Sequence, residues 1–368
     1  MTNLMVLQLN YVTFSGKCKK LPRKLRLLRW HGCTLKAIPG DVYMENLVVL
    51  DMSHSKLKHV WDVFKFPIGT LKILNLSYCR DLIKTPDFRR LPSLENLIVK
   101  GCSSLIKVDE SIAYLEKLVL LDLTDCTRLT EFPCFPTSIV TLEVSGCGSG
   151  AIRRVPSFNW TSLGFDLTKM NISNCNLSDN CFPNDWSSLV LLKDLDISGN
   201  NITFLPNCIQ SLPTLKYLDV QDCSNIQSIL CIPESLFLIK AYNCESLENV
   251  RIPKTQTIEV NYNTCPKLYE FEGRWKARSI DKVDTKIIRY MGLEPITVEG
   301  RESGLKCGTF VSCLLQKTIR CLGLESNAGD GMELDLKALS LYPKKTKRYK
   351  LLESEAWVGI RFGSHGAT

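Results

Sequence analysis

No apolar run in this 368-residue sequence approaches the ~18 residues that a membrane-spanning helix needs. The opening stretch, MTNLMVLQLNYVTF, has neither a basic n-region nor a small-residue cleavage site, so no secretory signal is expected. The default is a cytoplasmic chain. A lysine-rich stretch at 344–350, KKTKRYK, is either a nuclear-localisation patch, which would make the chain nucleocytoplasmic, or a solvated charge run. Neither sign of charge is concentrated: 46 Lys and Arg face 38 Asp and Glu, a net +8 spread over the whole length, which lacks the basic face of a nucleic-acid binder. Cys-x-x-Cys is absent, which removes the commonest zinc spacing. So is Gly-x-x-x-x-Gly-Lys-Ser/Thr, which removes the phosphate loop. Histidine is scarce, with only His31, His54, His59 and His365. None implies a nucleophile or metal partner, so no catalytic residue, metal site or cofactor is expected.

Cysteine, by contrast, is abundant. The count of 17 is odd and comes without a secretion signal, so free thiols are expected in place of disulfides. Their positions explain their number. The pattern L-x-x-L-x-L-x-x-C/N recurs as Leu25, Leu28, Trp30, Cys33; as Leu71, Leu74, Leu76, Cys79; and as Leu94, Leu97, Val99, Cys102. It goes on through Cys126, Cys147, Cys175, Asn200, Cys223 and Cys244 at the ninth place. Two further units, from Leu4 and from Leu47 (with Ser55 ninth), bring the total to eleven, with starts 21 to 28 residues apart. This is the period of the leucine-rich repeat.

A unit of this kind cannot bury its apolar side alone. Stacked neighbours make a parallel sheet over a continuous core. The expected fold is therefore an α/β leucine-rich-repeat solenoid over residues 1–265. It has a curved parallel sheet on the concave face and loops and short helical turns on the convex face. Prolines 39, 86, 133, 156 and 206 near the unit ends disfavour long helices there. The longest step, 139 to 167, reads as an enlarged loop. Residues 266–368 lose the period and read as a short irregular or partial β-rich region. The ninth-place residues Cys33, Cys79, Cys102, Cys126, Cys147, Cys175, Asn200, Cys223 and Cys244 are expected to form an internal ladder. A thiol is a small, buriable, weak donor for carbonyls of the turn.

The outward strand positions supply the candidate binding face. The central position of each strand gives Gln8, Arg29, Asp51, Asn75, Ile98, Asp122, Glu143, Asn171, Asp196, Asp219 and Lys240. Five of these are acidic, although the whole chain is basic. Tyr78, Tyr217 and Tyr242 lie nearby as aromatic anchors. Arg29, Asp51, Tyr78, Asp122, Glu143, Asp196, Tyr217, Asp219 and Tyr242 are thus the candidate partner-binding residues. A polar face is also what solubility alone requires of an exposed strand.

Several stretches carry a more specific likeness. LPRKLRLLRWHGCTLKAIP (21–39), ENLVVLDMSHSKLKHVWD (45–62) and the repeats of 71–126 resemble those of plant disease-resistance proteins. The class is the immune receptors with TIR, nucleotide-binding and leucine-rich-repeat domains. The resemblance covers about residues 1–265. It implies a recognition module for a pathogen effector or a guarded host protein, one that also acts on the receptor's nucleotide-binding domain. It also implies a jelly-roll-like region after the repeats. The sequence holds neither a TIR nor a nucleotide-binding domain, so it is expected to be a truncated product or a fragment of a longer receptor. Nucleotide binding and NAD cleavage are not carried over. Two other readings stand beside it. One is an extracellular receptor-like repeat protein, for which Asn75, Asn159, Asn171, Asn176 and Asn201 are sequons. The other is the remnant of an NAD-cleaving TIR receptor.

Overall fold

A computed structural model shows a leucine-rich-repeat solenoid built on one long parallel sheet. The structure describes residues 3–12, 21–40, 42–61, 68–129, 131–150, 157–230 and 232–251, together with Cys265, Lys267 and the backbone of 257–261, 270–272 and 274–277. The strands of the main sheet are β1 (Val6–Asn10), β2 (Leu27–His31), β3 (Val49–Asp51), β4 (Ile73–Asn75), β5 (Asn96–Ile98), β6 (Leu120–Asp122), β7 (Thr141–Glu143), β8 (Lys169–Asn171), β9 (Asp194–Asp196), β10 (Tyr217–Asp219), β12 (Leu238–Lys240), β14 (Thr257–Asn261) and β16 (Arg274–Ala277). A second sheet of β11 (Ser228–Ile229), β13 (Asn249–Arg251) and β15 (Glu270–Glu272) belongs to the loop sides of the last units. The strand order of the main sheet follows the chain order, so each unit pairs with the one before it.

Side-chain alternation sets what each strand does. Leu28, Leu50, Leu74, Leu97, Leu121 and Leu142 face in, and none is more than 2% exposed. Burying one such leucine contributes about 1.5–3 kcal/mol. Trp30, 3% exposed, fills the slot that usually takes a leucine, and the core absorbs its bulk. The register pairs like with like, as in Leu50 with Leu74 and Leu74 with Leu97.

On the loop side, the described helical turns are all 3-10 turns of three to five residues: 88–90, 110–114, 160–162, 179–181 and 207–209. Asp87 and Asp109 begin the first two by accepting the N–H of Arg89 and Ser111. A unit of this length leaves too few residues after the strand and turn for a longer helix. Around the long 139–167 step, aromatic rings bind neighbouring units together. Phe132 stacks on Phe158 at 4.4 Å, and Phe158 on Trp160 at 4.5 Å. The Trp160 indole donates to the Cys181 carbonyl at 2.7 Å.

The ninth-place residues stand in a column inside the solenoid. Cys79, Cys102, Cys126, Cys147 and Cys175 donate to Met52, Leu76, Val99, Leu123 and Val144 O at 3.1–3.3 Å. Asn200 reaches Ile172 O at 2.9 Å, Cys223 reaches Ile197 O at 3.5 Å and Cys244 reaches Val220 O at 3.2 Å. In each case the acceptor is the apolar residue that follows the strand of the preceding unit. Each of the middle carbonyls also takes a turn N–H of its own unit: Leu76 O from Cys79 N (3.1 Å), Val99 O from Cys102 N (3.3 Å). Such a carbonyl thus uses both lone pairs, and a missing thiol does not orphan it completely. Ser55 extends the column downward by donating to Trp30 O at 3.3 Å. Ser55 and Asn200 also accept the N–H of the rung before them, Cys33 and Cys175 respectively. Cys33 itself is fully buried.

The sheet continues past residue 265, where the sequence pattern had ended the repeats. β14 pairs with β12, Cys265 donates to Ala241 O at 2.8 Å, and β16 follows β14 in the same sheet. The unit of β14 escapes the pattern because, by spacing, Thr257 and Tyr262 take two of its leucine positions. The reading of 266–368 as a post-repeat region, including the lysine-rich 344–350, lies outside the described residues save for β15, β16 and Lys267.

Burial pushes the thiols of Cys79, Cys126, Cys175 and Cys223 up to about 12. Under native conditions at pH 8 a maleimide should therefore modify the exposed Cys134 and leave the ladder thiols intact until denaturant is added. Mass mapping of the adducts checks this, and rapid modification of Cys102 or Cys126 in the folded protein would refute the ladder. Cys102→Ala should lower stability by about 1–2 kcal/mol in a urea titration, through lost packing and the second hydrogen bond to Leu76 O. Cys102→Ser should recover part of that loss, since Ser55 fills the same place in its own unit.

Candidate protein-recognition surface

The outward face of the sheet is built by two devices that repeat from unit to unit. The first is a turn anchor. Asp51, Asn75, Asp122, Asn171, Asp196 and Asp219 each accept, through Oδ1, the backbone N–H two residues on, at 2.9–3.1 Å. Asp and Asn are short enough to do this, and Glu is not. Glu143 instead pairs with Lys169 at 2.7 Å. Most of the acids that mark the face in the sequence therefore have a local structural reason to be there.

The second device is a left-handed residue just before each ninth place. Tyr11, His54, Tyr78, Asp125, Asn174, Asp222 and Asn243 have φ of 53–61° there, and the remaining described units use glycine. Glycine is needed where a neighbour's side chain lies across the turn. A Cβ on Gly101 would stand 2.5 Å from the Tyr78 ring, and one on Gly32 would stand 2.2 Å from the Tyr11 ring. Tyr78 in turn stacks on His54 at 4.8 Å. This column of side chains forms one edge of the face.

The candidate residues gather in two places. Arg29 and Asp51 meet on β2 and β3, where the Arg29 guanidinium lies 3.3 Å and His31 Nε2 3.0 Å from the carboxylate. Burial would push the Asp51 carboxyl up, but the hydrogen bonds of His31 and Ser53 outweigh it and hold the group below its ordinary value. Asp196, Tyr217 and Asp219 meet on β9 and β10, with Lys169, Asp194 and Lys240, around an open depression of about 440 Å³. Here burial outweighs the help of Lys240, 3.0 Å away, and raises the Asp219 carboxyl. Asp122 and Glu143 are in-register neighbours between these two places. Tyr242 sits just beyond β12, with its phenol raised by burial. The nine candidates thus line one face without converging on one point. Sequence reasoning placed His31 and Lys240 on the face without their partners Asp51 and Asp219, and left out His54 and Lys169, which stand off the central strand position. The outward columns on either side carry His54 and Lys169 at the same repeat spacing.

Among the described residues no group of three or more His, Cys, Asp and Glu is arranged to hold a metal. No helix among them is long and apolar enough to cross a membrane. Asp196→Asn should keep the turn bond, as Asn75 and Asn171 do, and change stability by less than about 0.5 kcal/mol. Asp196→Ala leaves the buried Ser198 N–H without that acceptor and should cost about 0.5–1.5 kcal/mol. Thermal unfolding of the two variants side by side checks the difference.

The match to a family model agrees with this architecture. A leucine-rich-repeat family model matches residues 191–212. The disease resistance protein RPP4 of Arabidopsis thaliana is 30% identical over 278 residues, which is 69% of this chain and 24% of that protein. The Arabidopsis protein SUPPRESSOR OF npr1-1, CONSTITUTIVE 1 is 40% identical over 134 residues, covering 36% of this chain and 9% of that one. The chain therefore spans a quarter or less of the length of these relatives. Among solved structures, a leucine-rich-repeat protein of Leptospira interrogans aligns at 20% identity and a TM-score of 0.43, covering 76% of this chain and 81% of that one. The chain is a leucine-rich-repeat solenoid similar in sequence to plant disease resistance proteins.

Proposed function

We propose that the outward sheet face is the recognition surface of an intracellular plant immune receptor. It binds a pathogen effector or a guarded host protein and so regulates defence signalling. The observation that carries this reading is the division of labour between the two sides of each strand. Hydrogen-bonding needs of the turns are met by the inner ladder and by one carboxylate or amide oxygen per anchor. Arg29, Tyr78 and Tyr217 remain partly exposed on a broad face, and Tyr217 is 46% exposed. Aromatic and arginine side chains held this way are the usual anchors of protein interfaces. The similarity to disease resistance proteins supports the setting.

In this reading the partner is a protein, or the nucleotide-binding domain of the same receptor. No cofactor takes part, and no residue of the chain is catalytic. The place of action is the cytoplasm, with the nucleus open to it.

A two-hybrid screen of this chain against a library of pathogen effectors and host defence proteins tests the proposal. An interaction that is lost with Arg29→Glu or Tyr217→Ala, yet kept with Tyr114→Ala on the loop side, is the expected result. Interactions that depend on the loop side alone would overturn it.

A further inference from the structure

The outward face is not uniform along the stack. Two residues before the central position, the hydrogen-bonded register runs Val6, Leu27, Val49, Ile73, Asn96 and Leu120 across β1–β6. It then becomes Thr141, Lys169, Asp194 and Tyr217 across β7–β10. The pleat turns all of these away from the core, which Leu28, Leu50, Leu74 and Leu121 already fill. Ile98, in the central column, makes good the gap at Asn96 on the same strand. Val6 is 56% exposed and the other aliphatics of the strip are part-buried. The first six strands therefore carry a continuous apolar strip on a face that solubility would keep polar.

The later strands carry charge. Their two outward columns hold Glu143, Asp194, Asp196 and Asp219 against Lys169 and Lys240. The lysines engage Glu143 and Asp219. Asp194 and Asp196, both on β9, form no ion pair among the described residues. Tyr217 lies in register with Asp194, and its ring meets Phe237 edge-on at 6.2 Å. Two carboxylates beside an exposed aromatic ring suit a lysine or arginine side chain, which pairs with the acids and packs on the ring.

Building on the recognition reading above, we infer that the partner docks as one protein segment with aliphatic side chains over β1–β6 and a lysine or arginine over β9–β10. Seven strand spacings separate β2 from β9, about 34 Å. An extended segment of about ten residues covers that distance, or a helix of about 23. Charge complementarity fixes the direction. Reversed, the segment would press its cation onto the apolar strip and bury Asp194 and Asp196 under hydrocarbon, and both desolvate a charge without a partner.

Phage-displayed random peptides of about 24 residues, selected on the full chain, test the inference. Binders should carry an aliphatic stretch and a separate Lys or Arg. They should weaken by about tenfold or more with Ile73→Lys plus Leu120→Lys, and again with Asp194→Asn plus Asp196→Asn. The loss from the second pair should shrink as salt rises. Unchanged melting temperatures show that each variant folds, and the Asn at 196 keeps the turn bond. Thr141→Trp, which places bulk at the centre of the face, separates the two levels of the claim. Binders blocked by it but indifferent to both pairs of substitutions overturn the two-part partner and leave the recognition face standing. Binders indifferent to Thr141→Trp, or selection that yields none, count against both.

Discussion

At the end of every strand the chain must turn into the core, and the carbonyl of the apolar residue that follows the strand goes in with it. That carbonyl is the constraint on which the rest of the solenoid depends. One of its lone pairs takes a turn N–H from its own unit, as Leu76 O does from Cys79 N, and the other faces the next unit. A buried acceptor needs a donor there, but the space is small and otherwise apolar. A thiol fits both demands, because it donates weakly and packs like a small hydrophobe. Burial keeps it protonated and so keeps it a donor. Stacking in register then repeats one solution along the chain, which is why so many free cysteines serve one protein. Ser55 and Asn200 show the alternatives: each donates as a thiol does, and each also accepts an N–H that sulfur accepts poorly.

The same turn shapes the exposed surface. To bring the ninth residue inward, the residue before it adopts positive φ. Glycine, asparagine and aspartate tolerate this best, yet His54 and Tyr78 hold the conformation too. Tyr78 gains a platform by it, since its ring lies over Gly101 of the next unit and against His54 of the one before. Three residues earlier the strand ends on an Asx anchor that fixes where the turn starts. The inner ladder, the left-handed residue and the anchor are thus successive parts of one turn, and the face inherits its geometry from them.

This explains which parts were legible in the sequence. The leucine spacing reports burial on alternate residues, so the sheet, its register and the inner column followed from it directly. The unit of β14 did not, because Thr257 and Tyr262 keep the spacing while losing the residue type that reveals it. The 3-10 turns and the aromatic stack through Phe158 and Trp160 depend on contacts between units, which no single repeat displays. The binding face was the least legible. Its acids stood out by charge, but a carboxylate that anchors a turn and one that waits for a partner are the same letter. Only the hydrogen bonds of Asp122, Asp196 and Asp219 separate the two roles.

That overlap bears on how such a face acquires specificity. Where Asp and Asn meet the anchor's need equally, as at Asp196 and Asn171, charge at the central column is free to vary without cost to the fold. The outward column two residues earlier is freer still, because its side chains make no turn bond and leave the core to their neighbours. It is there that the chain changes character, from Val49 and Ile73 to Lys169 and Asp194. Recognition residues therefore fall on the positions from which the scaffold asks least. A rigid repeat whose own demands are met inside leaves its outward columns open to selection by a partner.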